Sequence, residues 1–207
     1  WGGNRARPDL VKKFFPNGNV PNLESYATAE AAGDDRALFN GVNRTLDNDD
    51  VSTFKSGFGV AKFTNFKTDG SAGHDATFPD ADFFLMRVAE AYLNFAEADA
   101  RLNGEQTTEE GTAAINAIRK RAHASTREDR GYSLSDICDE WSREFYFEGR
   151  RRMDLIRFNR YGGNVNYNWQ WKGGTKEGRN FSKDLNIFAI PTNELTSNKN
   201  LIQNPGY

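Results

Sequence analysis

The chain has 207 residues, 37% of them hydrophobic and 27% charged, with a formal net charge of -2, one cysteine and two histidines. A chain of this length can bury roughly 70% of its unfolded surface, but no stretch approaches the ~20 apolar residues that span a bilayer, the longest being broken by Arg87, Glu90 and Glu97. The near-neutral balance argues against a broad electrostatic footprint for nucleic acid, and a lone Cys138 can form neither an internal disulfide nor a thiolate metal cage.

The chain opens at Trp1 without a methionine or a signal peptide, which reads as a processed chain or a fragment. Its 21 asparagines and 19 glycines, with 13% aromatics, suit turns and exposed contacts better than a plain helical bundle. Through residues 1 to 80, Gly and Pro recur so often that only short strands or single helical turns fit between them. Phe54, Phe58, Val60, Phe63 and Phe66 within Val51 to Phe66 suggest a hairpin.

From Asp82 the texture changes. In Phe83 to Leu102 the polar residues Arg87, Glu90, Asn94, Glu97 and Arg101 fall on one narrow stripe, and almost everything else is apolar. Such a helix is expected to be packed on most of its circumference. Asn103 and Gly104 stop it, and Thr107 with Glu110 reads as a capping box opening a second helix to about Ala122. Two helices joined this closely make an antiparallel hairpin of the kind that builds helical repeats. A third helix is capped by Ser133 with Asp136 and carries Leu134, Ile137, Trp141 and Phe145 on one face until Gly149 weakens it. A charged continuation, Arg150 to Arg160, follows, with Glu148, Arg151, Asp154 and Arg157 spaced by threes for pairing along a helix face. The remainder is loop, apart from a short strand expected at Asn186 to Ile190 and closed by Pro191.

Few chemistries survive this reading. His74 and His123 are far apart, and the run Asp47, Asn48, Asp49, Asp50 puts Val51 where a calcium loop needs an oxygen ligand, so no metal and no cofactor is expected. Gly57-Phe58-Gly59 continues as Val60-Ala61-Lys62 and is no phosphate loop; its glycines relieve crowding or make a bend. There is no Gly-x-Ser-x-Gly, and Cys138 beside Asp139 and Glu140 lacks the electropositive setting of a reactive thiol. Acids bracket Arg150, Arg151 and Arg152, which favours a neutralised network over a phosphate or nucleic-acid patch. Tyr167, Trp169 and Trp171 alternate with Asn168 and Gln170 between two glycine pairs. In an extended segment this alternation puts the rings on one side and the amides on the other, a surface on which a sugar can stack and bond, although large rings more often pack inward. Trp1, with Asn4, Arg5 and Arg7 beside it, offers a second such cluster.

Four motifs then point the same way. They are Met86-Arg87-Val88-Ala89-Glu90-Ala91-Tyr92-Leu93-Asn94-Phe95-Ala96-Glu97-Ala98; Asn116-Ala117-Ile118-Arg119-Lys120-Arg121-Ala122; Arg143-Glu144-Phe145-Tyr146-Phe147-Glu148-Gly149, running on to Arg151, Asp154-Leu155 and Arg157; and Ile190-Pro191 through Glu194-Leu195 and Asn198 to Gln203-Asn204-Pro205-Gly206-Tyr207. In content and order they resemble the SusD/RagB family of outer-membrane nutrient-binding lipoproteins. Arg152 departs from the pattern, standing where the family usually shows an aromatic, and residues 1 to 80 match only loosely, through Arg7-Pro8 with Leu10-Val11 and through Asp35-Arg36.

The resemblance implies a mainly α fold: tetratricopeptide-type helical hairpins with long loop-rich insertions and a few short strands. It divides the chain into a loop-rich ligand-side region (1-80), a helical core (81-160) and an aromatic loop with the C-terminal segment (161-207), the C-terminal portion of a longer protein whose N-terminal part is missing. It implies no catalysis. The expected function is binding of glycans or oligosaccharides at the cell surface for delivery to a SusC-like TonB-dependent transporter, with an N-terminal lipid anchor in the full-length protein and no nucleic-acid partner. Capture of peptides or another nutrient, a helical-repeat scaffold and, further off, a glycoside hydrolase are the alternatives. Trp1, Asn4, Arg5, Trp169 and Trp171 are the expected ligand contacts; Glu148, Arg151, Asp154 and Arg157 are expected to hold the fold as an ion-pair network.

Overall fold

The structure is a computed structural model that describes residues 3–207. Its contacts divide the chain into two compact units, one ending at Arg151 and one of Arg152–Tyr207.

In the first unit the early region forms a small three-stranded antiparallel sheet. Strand β3 (Phe58–Val60) lies between β1 (Arg5–Ala6) and β2 (Phe39–Asn40), with Ala6 opposite Phe58 and Phe39 opposite Val60. The expected hairpin at Val51 to Phe66 is therefore absent among the described residues, and β3 pairs only with distant segments. The turn before it is fixed by Gly57, whose φ of 102° and approach to Asn48, where an added Cβ would lie 2.0 Å from Nδ2, exclude any other residue without strain. Helices α1 (Pro8–Val11) and α2 (Ser25–Ala32) flank the sheet. Val11, Phe14, Phe15, Phe39, Phe58 and Tyr146 make its core, with Phe14 edge-on to Phe39 at 5.5 Å and Phe39 against Tyr146 at 5.2 Å.

The helical part begins with α3 (Val88–Leu102), α4 (Glu109–Arg121) and α5 (Leu134–Phe145). α3 starts at Val88, not at Phe83, because Arg87 is extended (φ −149°, ψ 156°) and sends its side chain to Glu144 and Glu148. The cap of α4 also differs from the sequence reading. Thr108 is the N-cap residue, and Asp99 of α3 bonds its backbone N–H at 2.7 Å and its hydroxyl at 2.9 Å. Thr107 is diverted to the backbone of Tyr132 at 2.8 Å. One helix thus caps the next, and they meet closely at Gly111, where an added Cβ would lie 2.1 Å from Asp99. α5 has the expected capping box: the Ser133 hydroxyl accepts from the Asp136 N–H at 3.1 Å, and the Asp136 carboxylate accepts from the Ser133 N–H at 2.9 Å. It ends where Tyr146 turns extended and Phe147 adopts φ 61°. The charged continuation is α6 (Arg151–Arg157).

The α3 stripe is oriented against simple expectation. Ala89, Leu93, Ala96, Glu97 and Ala100 are buried, while Val88, Tyr92, Phe95 and Leu102 stay exposed. The narrow polar stripe is turned partly inward because its charges have partners there: Glu97 accepts from the buried Trp141 indole at 3.0 Å, and Glu90 pairs with half-buried Arg150 at 2.8 Å.

In the second unit, α6 leads into a loop over residues 161–181, a 3-10 turn at Lys183–Asn186 and α7 (Thr192–Ser197). No strand forms at Asn186 to Ile190. The C-terminal side chains take the bonds a partner strand would have made. Gln203 bonds both the N–H and the C=O of Ile190 (2.9 and 3.0 Å), while Asn204 and the Tyr207 hydroxyl donate to the carbonyls of Phe188 and Ile187 at 2.8 Å.

Candidate functional site

The aromatic loop of the second unit is the first candidate. The expected alternation of rings and amides does not persist to its end, because Trp171 lies at φ 69° in a turn closed by its own N–H to Lys176 O at 3.1 Å. For a bulky aromatic residue this is a strained conformation. The rings form a cluster instead. Trp169 is stacked on Tyr161 with centroids 6.0 Å apart and planes 17° apart, Tyr167 tilts against Trp169 at 6.2 Å, and Phe181 meets Tyr161 edge-on at 4.9 Å. Tyr167, Trp169 and Trp171 are all half-buried. Asn168 spends its amide nitrogen on the carbonyl of Glu177 at 2.8 Å, closing the loop. At the base of the cluster lies Lys172, only 1% exposed, its ammonium donating to the carbonyls of Asn164 (2.9 Å) and Tyr167 (2.6 Å) and lying 4.8 Å from the centre of the Trp169 ring. Burial pushes the Lys172 ammonium below the ordinary lysine value.

The second candidate lies at the start of the chain. Trp1 falls outside the described residues. Asn4 is exposed, and Arg5 in β1 turns its guanidinium into the loop after Asn48, donating to the carbonyls of Thr53, Ser56 (3.0 Å) and Val51 (3.2 Å). Arg5 therefore holds the loop whose Phe54 side chain is exposed beside Gly3.

The ion-pair residues lie partly in a larger buried network of the first unit. Glu140, Glu144 and Glu148 recur every four residues along α5 and just past its end. Arg36 bridges Glu140 (2.8 Å) and Glu144 (3.0 Å) while chelating Asp34 at 2.7 Å; Arg119 and Arg143 reach Glu140, each at 2.7 Å; Arg121 reaches Glu144 at 2.6 Å. Glu148 accepts from Arg87 at 2.8 Å and from Lys62. Burial works against each charged carboxylate, but the guanidinium partners outweigh it and hold Glu140, Glu144 and Glu148 below the ordinary carboxylate value, with Lys62 helping at Glu148. Arg151 donates to the Cys138 carbonyl at 2.9 Å, and Asp154 pairs with Arg157 at 2.9 Å. The three consecutive arginines are all engaged internally: Arg150 with Glu90 and over the Trp141 ring at 4.2 Å, Arg151 as above, and Arg152 on the carbonyls of Leu185 and Asn186 and over Phe188 at 3.9 Å.

Sequence reading missed one feature, a cleft of about 730 Å³ between the end of α2 and the loop that follows α4. Its charged walls are largely paired with one another, as in Lys13 with Asp139 (2.5 Å) and Arg127 with Asp136 (2.8 Å). Its lining comes from segments more than 80 positions apart, which no local pattern reveals. Among the described residues no group of three or more His, Cys, Asp or Glu side chains is placed to hold a metal ion, and no helix is long and apolar enough to cross a membrane.

Comparison with known proteins gives concordant matches. The model of the SusD family matches residues 14–207. The starch-binding protein SusD of Bacteroides thetaiotaomicron is 43% identical over an alignment of 238 residues, which takes in all of this chain and 42% of the relative. Among solved structures, a SusD-like protein from Bacteroides fragilis superposes on 98% of this chain and 47% of its own with a TM-score of 0.63 at 20% identity, a likeness of fold. Surface glycan-binding protein A from Bacteroides uniformis matches 61% of this chain and 28% of its own, with a TM-score of 0.50 and 26% identity.

Proposed function

The chain belongs to the SusD family, and from that membership we propose that it is part of a protein that binds glycans or oligosaccharides at the cell surface without cleaving them. The observation that carries this reading is the 43% identity, over the whole chain, to a protein named for binding starch. The partial likeness to a surface glycan-binding protein supports it. The chain spans less than half the length of that starch-binding relative, so the complete activity belongs to a longer protein. In that protein we place a lipid anchor ahead of this portion and a SusC-like TonB-dependent transporter as the recipient of the glycan, at the outer membrane.

Within the chain, the aromatic loop is the glycan contact we propose, through the accessible parts of Tyr167, Trp169 and Trp171. The half-buried rings of Tyr167 and Trp169, fixed by a packed cluster, present a rigid apolar surface to the C–H face of a sugar, with little ordering cost on binding. Asn4 and the loop held by Arg5 form a second contact region, together with Trp1. The ion-pair residues Glu148, Arg151, Asp154 and Arg157 are assigned to holding the fold, since their guanidiniums and carboxylates are committed to internal partners.

An affinity screen of the protein against soluble polysaccharides, with product analysis, tests the reading. Retention of at least one glycan with no release of reducing ends is expected. Sustained release of reducing ends would replace binding with hydrolysis, and retention of none would refute the reading. Replacing Trp169 and Trp171 together by Ala is expected to weaken retention at least about tenfold, or about 1.4 kcal/mol, while the helical circular dichroism is kept. Unchanged retention would move the contact away from this loop.

A further inference from the structure

Lys172 poses a physical problem that the proposed binding role does not by itself explain. A buried ammonium costs several kcal/mol unless a counter-charge compensates it, and among the described residues Lys172 forms no ion pair. A methionine would fill similar space without that cost. What the ammonium has instead is a cage of two backbone carbonyls, Asn164 and Tyr167, with the ring of Trp169 at 4.8 Å and that of Phe181 at 5.9 Å. The backbone of the same residue ties the other side of the loop: its N–H donates to Trp169 O at 3.0 Å, and its C=O accepts from the Arg179 N–H at 2.8 Å. One residue thus joins the run before the rings, the turn that carries them and the returning segment.

We infer that Lys172 is the positioning residue of the aromatic loop, its ammonium head group being the template that sets Tyr167 and Trp169 in the arrangement that meets the glycan. The inference rests on the reading of this loop as the glycan contact. Both carbonyls point at the ammonium, which places separate N–H donors on them. The strained turn at Trp171 is held at one end by the bond from Lys172 N–H to Trp169 O and at the other by the bond from Trp171 N–H to Lys176 O. Removing the ammonium takes away the donor that the Asn164 and Tyr167 carbonyls share, and with it the tie between the run before the rings and the turn that carries them. The loop is thereby preformed by its own cation, and a sugar need not order it.

Lys172→Met and Lys172→Gln in the 207-residue chain test this, beside the double replacement of Trp169 and Trp171 by Ala. Near-ultraviolet circular dichroism, taken as the difference from the tryptophan double variant so that Trp141 and the other rings cancel, reads the aromatic loop; far-ultraviolet circular dichroism reads the helices, and maltoheptaose and soluble starch are the binding probes. Lys172→Met is expected to lose the near-ultraviolet signal, keep the helical signal and weaken probe binding at least about tenfold. Lys172→Gln, neutral and too short to reach both carbonyls, is expected to behave the same way. An unchanged near-ultraviolet signal in Lys172→Met overturns the inference, as does full restoration by Gln or, where the tryptophan variant does lose probe binding, a lost signal with unchanged probe binding. If the tryptophan variant binds the probes as the parent does, the loop is not the glycan contact, and the near-ultraviolet result alone then decides whether Lys172 positions it.

Discussion

Glu140 is fully buried on α5, and its oxygens accept from Arg36 at 2.8 Å, Arg119 at 2.7 Å and Arg143 at 2.9 Å. Replacing it with Gln keeps the shape but leaves three guanidiniums around a neutral group, and is expected to cost about 3–5 kcal/mol, measured by urea unfolding at pH 7. Its folded value is depressed, as are those of Glu144 and Glu148. Their contribution is therefore fully present above the unfolded glutamate value of about 4.3 and is lost as pH falls through the folded values. Stability should decline from about pH 4.5 downward, and less steeply in Glu140→Gln; equal slopes would place the acid sensitivity elsewhere. The spacing of Glu148 to Arg151 and Asp154 suggests pairing along one helix face, but the partners of Glu148 here, Arg87 and Lys62, lie 61 and 86 positions away, and pairs of that kind leave no periodic trace. Arg87 and Glu97 were legible as polar members of a helical stripe, yet that pattern reports only that they share a face. Whether the face meets water or buried partners depends on α5, and here it meets Trp141 and Glu144.

Whole elements were legible where local chemistry decides them. α5 is the clearest case, because Ser133 and Asp136 satisfy each other's backbone donors within one turn. Burial would raise the Asp136 carboxyl, but bonds from Arg127 and Ser133 bring it to about 2, so the cap stays charged through neutral pH. Ser133→Ala is expected to cost about 1 kcal/mol and to shorten the helix from its first turn. A thermal melt with the same midpoint as the parent would show that tertiary packing alone fixes that end. α4 was legible in extent but not in its cap, since Asp99 of the preceding helix displaces the Thr107 box. The sheet was illegible because its strands are two or three residues long and pair across more than 15 positions, too short for period-two alternation to register. The missing strand at Asn186 to Ile190 has the converse cause. Ile187 is extended, but Gln203, Asn204 and Tyr207 bond the backbone that a neighbouring strand would have paired. The terminal Gln-Asn-Pro-Gly-Tyr motif thereby gains a physical reason.

At the scale of the whole molecule, the apolar surface of α3 is the outstanding imbalance. Val88, Tyr92, Phe95 and Leu102 are 72%, 43%, 53% and 85% exposed, and a shallow groove of about 210 Å³ lined by Val88, Tyr92, Ala117 and Ile118 runs between α3 and α4. A row of large apolar side chains on one helix face is more than scattered surface hydrophobicity and marks a contact surface. The sequence predicted a helix packed on most of its circumference, whereas the first unit packs only the side bearing Ala89, Leu93, Ala96 and Ala100. The matched starch-binding relative is more than twice as long as the part that aligns here, so a longer protein of this family has further chain with which to cover such a face. In the 207-residue chain the face is expected to drive association as concentration rises. The double variant Tyr92→Ser with Phe95→Ser should raise the concentration at which sedimentation detects association, with the melting temperature kept within about 2 °C, because substitutions at exposed sites change stability by no more than about 0.5 kcal/mol. A fall well beyond that would show that the two rings already have partners in this chain. In a longer family member carrying the same two changes, the order should reverse: a face covered by the additional chain loses about 3 kcal/mol or more when an aromatic ring is truncated there, so the melting temperature should drop while association changes little.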